Sequence, residues 1–315
     1  MTKLVAGWPG IVDSHLDLGG RRVRVLRSAG RRAAPTDEPQ LLVHGLGGSS
    51  VTWVPVVAGL AARGPVVAVD LPGFGRTPPW PDDPLTVDGY VDFVLEVADR
   101  LGWDHFALHG NSMGGLVATL LAARHPDRVS RLVLVSPALP PRSPVGLLLP
   151  SRATVGQMVP IAASSATAAG LGLVGLAGPA FGERRDRALL GLIYPDPDGI
   201  DRRVLRLMAA DLSSTVMDGR QRRRALLSAL GSIAATWTVP WSTWRAVRRV
   251  EAPTLVLGGT ADALVPARTL RSVLAARPDW EGHVLDDRRH ALMLEDPQLY
   301  VELVGAWHER TARAA

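Results

Sequence analysis

The sequence predicts an α/β protein with a mostly parallel sheet, helices on both faces and a helical insertion near the middle of the chain. Three observations lead there. Short apolar runs rich in Val and Leu alternate with segments of helical pattern, from "LLVHG" at residue 41 to "EGHVLDD" at 281. Glycine-rich turns such as "HGLGG" (44–48) and "HGNSMGG" (109–115) follow these runs where a strand hands over to a helix. Between residues 138 and 250 the rhythm stops, and it resumes at "TLVLGG" (254–259).

Taken in order, "IVDSHLDL" and "RRVRVLRS" flank Gly19-Gly20 and form an antiparallel hairpin. A strand at 41–45, a helix near 52–63, a strand at 65–70 and a helix near 86–101 follow. The strand 105–110 enters a serine turn, continues as a helix to about Arg124 and is followed by a strand at 131–137. Beyond the insertion come a strand at 254–259, a helix near 266–277, a strand at 281–287 and a closing helix from about Asp296. The expected core is therefore 1–137 with 251–315, and 138–250 forms a helical cap inserted after the sixth strand. From Ala153 to Gly182 no residue is charged. That stretch competes for reading as a membrane span. Its Ala, Gly, Ser and Thr content and the interruptions at Pro160 and Pro179 favour cap helices with an apolar underside.

At 315 residues, 47% hydrophobic and 21% charged, the chain can bury a large core. The absence of cysteine excludes disulfides, thiolate metal sites and a cysteine nucleophile. The opening "MTKLVAGWPGIVDSH" lacks the basic end and apolar stretch of a signal peptide, so a cytoplasmic location is expected. Net charge is +5, and Lys3 is the only lysine. So arginine-rich a composition fits a GC-rich genome better than a nucleic-acid partner. The charge is nonetheless segregated: residues 138–250 hold 15 arginines against 7 acidic residues. A basic cap could touch a lipid or other anionic surface.

Gly110, Ser112 and Gly114 spell G-x-S-x-G between a strand and a helix. A serine hydroxyl is a weak nucleophile until a base takes its proton, and a sharp strand-to-helix turn lifts the Oγ clear of the sheet. The helix start also aims free N–H groups at developing negative charge. "HGLGG" ends the third expected strand, and its loop can present the Leu46 N–H beside that of Met113 as an oxyanion hole. His44 is read as shaping that loop. Asp262 falls just past the strand at 254–259 and His290 just past the strand at 281–287, so the chain order is Ser, Asp, His. The remaining histidines lie in the hairpin, in or beside strands, around the serine helix or in the last helix. Asp286 and Asp287 compete with Asp262 but lie too close in sequence to sit behind the His290 ring. Trp237, Trp241 and Trp244, near the return to the core, are read as hinge packing rather than a gate.

With these residues in view, the sequence resembles the α/β-hydrolase superfamily. "LLVHGLGG", "DLPGFGRT", "GNSMGG", "RLVLVSP", "PTLVLGGTADALVP" and "HALMLEDP" carry the resemblance over nearly the whole chain outside the insertion. It implies an α/β-hydrolase fold with Ser112 as nucleophile, His290 as base and Asp262 as its orienting acid. It makes "DLPGFG" a structural loop, leaving Asp70 outside the catalytic set. The glycine common before the histidine is Arg289 here. Haloalkane dehalogenases and epoxide hydrolases use aspartate where Ser112 stands. "GNSMGG", with Asn111, resembles the carbon–carbon bond hydrolases of ring-fission dienones. Those carry a tryptophan after the histidine, where this chain has Ala291 and Leu292, and a proline in the oxyanion loop. The leading expectation is a carboxylesterase or lipase-like hydrolase of an apolar small-molecule ester, with no metal or organic cofactor; 153–182 either lines its acyl pocket or only packs within the cap. The alternatives are a carbon–carbon bond hydrolase, an acyltransferase, or a catalytically silent ligand-binding relative.

Overall fold

The computed structural model describes residues 3–30, 38–142 and 200–314. Among the described residues, nine strands form one sheet in the order β1-β2-β3-β5-β4-β6-β7-β8-β9. The first three, β1 (Lys3–Val5), β2 (Trp8–Leu18) and β3 (Arg21–Ser28), are antiparallel, with the β2–β3 turn at Gly19-Gly20. The other six are β4 (Gln40–Val43), β5 (Val66–Val69), β6 (Phe106–Asn111), β7 (Val129–Val135), β8 (Thr254–Gly259) and β9 (Glu281–Leu285). They pair in parallel from β5 to β9. The insertion expected after the sixth strand follows the seventh, because the three-residue β1 adds an edge strand too short to leave a pattern in sequence.

Strands β4, β5, β6 and β8 are buried on both faces, as parallel strands between helix layers must be. Alternation along β7 sends Leu132 and Leu134 into one core and Val133 and Val135 into the other. The first core is closed by α2 (Val87–Leu101) and α3 (Met113–Arg124). The second is closed by α1 (Val54–Leu60), which follows a 3-10 turn at Ser50–Trp53, and by α8 (Leu292–Glu295) and α9 (Pro297–Ala314). α7 (Ala267–Ala276) covers β8 and β9. Caps fix the ends of α2: the Thr86 hydroxyl accepts from Gly89 N, and Gly102 takes the left-handed conformation at φ 72°. α3 has apolar residues all round, so it can exist only where the sheet and other helices cover every side.

The described part of the insertion is helical: α4 (Arg202–Leu212), α5 (Gly219–Thr238) and α6 (Pro240–Arg249). A reciprocal capping box between Asp218 and Gln221 starts α5. α6 packs on α3 and buries Trp244 and Val247 in the first core. Two of the three tryptophans behave as packing, Trp237 Nε1 donating to Ala138 O at 3.3 Å and Trp244 Nε1 to Pro140 O at 3.1 Å, whereas Trp241 is exposed and does not pack. The uncharged 153–182 stretch lies outside the described residues. Among those described, no helix is long and apolar enough to cross a membrane.

Candidate active site

At the C-terminal end of β6 the backbone enters a strained turn. Ser112 adopts φ 53° and ψ −116°, a left-handed conformation costly for a residue with a side chain. The surroundings hold it there. Ser112 N donates to Val135 O at 2.9 Å, and Ser112 O accepts from Leu116 N at 3.1 Å and Ala138 N at 2.9 Å. The flanking glycines are required by contact: a β-carbon at Gly110 would run into the Gly114 carbonyl, and one at Gly114 into the carbonyls of Val43 and His44. The turn thus closes only where positions 110 and 114 lack side chains.

The glycine loop after β4 passes directly against this turn, since a β-carbon at Gly45 would lie 3.0 Å from Ser112 Cβ. His44 shapes the loop as expected. Its Nδ1 donates to Gly45 O at 2.7 Å while its Nε2 accepts from Leu71 N at 3.1 Å, which defines one neutral tautomer. Complete burial holds the ring below the ordinary imidazole pKa, against the opposing pull of Asp70. Met113 begins α3, so its N–H has no intrahelical acceptor, and among the described residues the Leu46 N–H donates to no other group.

Past β8, Asp262 accepts from the backbone N–H of Leu264 at 2.8 Å and of Val265 at 2.9 Å. His290 Nδ1 lies 2.9 Å from Asp262 Oδ2 and 3.2 Å from Oδ1, with both side chains buried. Burial alone would raise the Asp262 carboxyl. The His290 ring, the Val265 amide and the nearby Ser136 hydroxyl, which makes no hydrogen bond of ordinary geometry among the described residues, overcome that and hold it below the ordinary value. Asp286 and Asp287 are exposed and do not reach the ring. The loop around His290 is clamped on both sides. Glu295 accepts from Arg289 N at 2.8 Å and Ala291 N at 3.0 Å, and Asn111 Nδ2 donates to His290 O at 3.0 Å and Val135 O at 3.2 Å. Arg289 is accommodated because its amide, not its side chain, meets the clamp. Asn111, adjacent to Ser112, therefore ties the histidine loop to the serine turn. Among the described residues no hydrogen bond joins Ser112 Oγ to the His290 ring.

Sequence reasoning missed a further set of buried groups beside the glycine loop. Arg24, on β3, forms ion pairs with Asp13, Asp70 and Asp211. Arg24 and Asp211 are separated by 187 positions, and no local pattern links them.

The chain matches the model of the alpha/beta hydrolase fold family over residues 39–297. It belongs to that family. Its relatives include 2-hydroxymuconate semialdehyde hydrolase of Pseudomonas sp. (strain CF600), 28% identical over 284 residues and covering 85% of each chain. Human (lyso)-N-acylphosphatidylethanolamine lipase is 37% identical over 102 residues, which are 31% of this chain and 30% of that one. Among solved structures, naproxen esterase of Bacillus subtilis has a TM-score of 0.69 at 20% identity, covering 96% of this chain and 93% of that one. 2-Hydroxy-6-oxo-6-phenylhexa-2,4-dienoate hydrolase of Rhodococcus sp. strain RHA1 has a TM-score of 0.68 at 19% identity, covering 98% and 100%. At these identities the structural likeness is one of fold. These relatives include both esterases or lipases and carbon–carbon bond hydrolases.

Proposed function

We propose that the chain is a serine hydrolase that cleaves a carboxylic ester with an apolar acyl group through an acyl-enzyme. One observation carries the reading: a buried Asp262–His290 pair tied by Asn111 to a strained serine turn. Ser112 Oγ attacks the ester carbonyl carbon and its proton passes to His290 Nε2. Asp262, kept ionised, holds the Nδ1–H and supports the imidazolium. The tetrahedral oxygen takes the N–H groups of Leu46 and Met113. His290 then protonates the departing alcohol. Water repeats the attack with the same base, releasing the acid and restoring Ser112. No cofactor takes part in these steps.

The second reading, a carbon–carbon bond hydrolase, is favoured by the similarity to 2-hydroxymuconate semialdehyde hydrolase over 85% of each chain. Against it, both side-chain N–H donors of Asn111 are engaged by backbone carbonyls, so the residue that resembles those enzymes acts as a brace. The measurement that separates the two is kcat/KM over a series of nitrophenyl esters and for one ring-fission dienone, on one preparation. The ester reading expects a gain of up to ~0.8 kcal/mol for each methylene that enters the pocket, a few-fold in kcat/KM. Faster turnover of the dienone, or a flat and negligible acyl series, would overturn it.

The exterior of the insertion supports one partner proposal. Arg220, Arg223, Arg224, Arg245, Arg248 and Arg249 are exposed alongside Trp241, a composition suited to an anionic lipid surface. Equal sedimentation with anionic and zwitterionic vesicles would remove this proposal.

A further inference from the structure

The glycine loop is anchored at its far end by a carboxylate that does not belong to the core. Asp211, in the last turn of α4, is buried and accepts three hydrogen bonds: from Ser49 Oγ at 2.8 Å, Arg24 Nη1 at 3.0 Å and Arg76 Nε at 2.7 Å. Ser49 is the last residue before the 3-10 turn, and its hydroxyl also accepts from Val51 N at 3.3 Å. Asp70 holds the next residue, accepting from Ser50 N at 2.6 Å and Arg76 N at 2.8 Å. Burial would raise the Asp70 carboxyl, but the Arg24 guanidinium and hydrogen bonds from the Ser50 side chain and the Arg76 amide hold it low. Arg24 completes the set, with both Asp13 oxygens on its Nε and Nη2 at 3.1 and 3.0 Å.

Two independent fixings therefore hold the segment that carries Leu46. At its start, His44 and the Gly48 N–H (3.1 Å) both bind Gly45 O. At its end, Ser49 and Ser50 bind Asp211 and Asp70. The first fixing and Asp70 come from the core itself. Only Asp211 comes from the insertion, 162 positions from Ser49.

We propose that Asp211 is a positioning residue for the oxyanion loop, through which the insertion sets the placement of the Leu46 N–H. The proposal rests on the reading that Leu46 is an oxyanion donor. A loop N–H displaced by a fraction of an ångström loses much of its worth in the transition state while leaving substrate binding almost untouched. Removing Asp211 would leave Ser49 Oγ without its acceptor and Arg76 and Arg24 each short of one partner. It would not detach α4, which is also held by Val204 in the second core, by Arg203 Nη1 on Gly7 O at 3.1 Å and by the Arg203 guanidinium over the Trp8 ring at 4.6 Å. Variants at this position are therefore expected to fold.

The test uses Asp211→Asn and Ser49→Ala in the full chain, with hydrogen exchange and reaction with a fluorophosphonate measured together. The amides of Gly48 and Ser50, whose own acceptors neither substitution removes, should exchange roughly tenfold faster in both variants, with β6 and β7 amides unchanged. Phosphonylation at Ser112, and kcat for a nitrophenyl ester, should fall roughly tenfold to a hundredfold, with KM within about twofold. Unchanged exchange at Gly48 and Ser50, exchange that quickens equally across β6 and β7, or faster loop exchange with unaltered kcat would each overturn the proposal. The exchange arm needs no substrate. If the wild-type chain fails to react with the phosphonate, the ester reading falls while Asp211's hold on the loop is still decided by exchange.

Discussion

Among the described residues, carboxylate–histidine pairs stand at opposite ends of the parallel strands, one buried and one half-buried, and only the buried one has the makings of a site. At the C-terminal ends, Asp262 and His290 meet at 2.9 Å. At the N-terminal ends, Glu38, just before β4, meets His308 of α9 at 2.7 Å. The pairs differ in what else surrounds the carboxylate. Glu38 is also bound by Arg131 at 2.7 Å and by the Ser130 hydroxyl at 2.6 Å, both at the start of β7. A fixed guanidinium neutralises it, and no serine at a strained turn stands nearby. Asp262 instead receives backbone amides and the imidazole, so its charge remains available to support an imidazolium. The contrast teaches that a histidine–carboxylate bond does not define chemistry. What separates the two pairs is the strained Ser112 turn beside the first and, among the described residues, the lack of a competing cation at Asp262.

Breaking the first member of this contrast should have the largest effect. Ser112→Ala removes the nucleophile, and ester hydrolysis should fall on the order of 10⁴ or more in kcat with an unaltered circular dichroism spectrum. Activity near wild type would show that the turn is only a turn. Asp262→Asn should cost roughly 10² to 10⁴ in kcat with KM little changed, because it loses both the orientation of His290 and the charge behind it. Asp286→Asn should do nothing, and the reverse pattern would reassign the acid.

Glu38→Gln sharpens the comparison from the other side, leaving kcat within about twofold but reducing stability. Burial would raise the Glu38 carboxyl, yet His308, Ser130 and Arg131 lower it to about 2 from an ordinary 4.5. A depressed carboxyl contributes stability that is present above its unfolded pKa and lost as pH falls through the folded one. The wild type should therefore exceed Glu38→Gln by at most about 3 kcal/mol at neutral pH, the advantage fading as pH falls from about 4.5 to about 2. Denaturant melts at several pH values check this, and a pH-independent difference would contradict it. The smallest effect is expected from Ser136→Ala, which takes one hydroxyl from beside Asp262 and should lower kcat by less than about tenfold.

Most of the candidate site was legible because it is written locally. Ser112, its two glycines and the "HGLGG" loop are short motifs, and Asp262 and His290 each follow a recognisable strand directly. The mostly parallel character of the sheet followed from the same strands. What was not legible is long-range and polar. Glu38 and His308 are 270 positions apart, Arg24 and Asp211 are 187, and no periodicity announces either pairing. The role of Asn111 as a brace was hidden for the same reason, since its acceptor is a backbone carbonyl 179 positions away. The helix α6, counted with the cap in sequence, packs on α3 because Trp244 and Val247 fit the first core, a matter of shape that residue order does not express.

The most direct test of the account is fluorophosphonate labelling with peptide mapping in three forms of the chain: wild type, His290→Ala and His308→Ala. The account predicts a single label on Ser112 in the wild type, a rate reduced at least about a hundredfold in His290→Ala, and a rate equal to wild type in His308→Ala. Labelling of a different serine, or equal slowing by the two histidine substitutions, would contradict it.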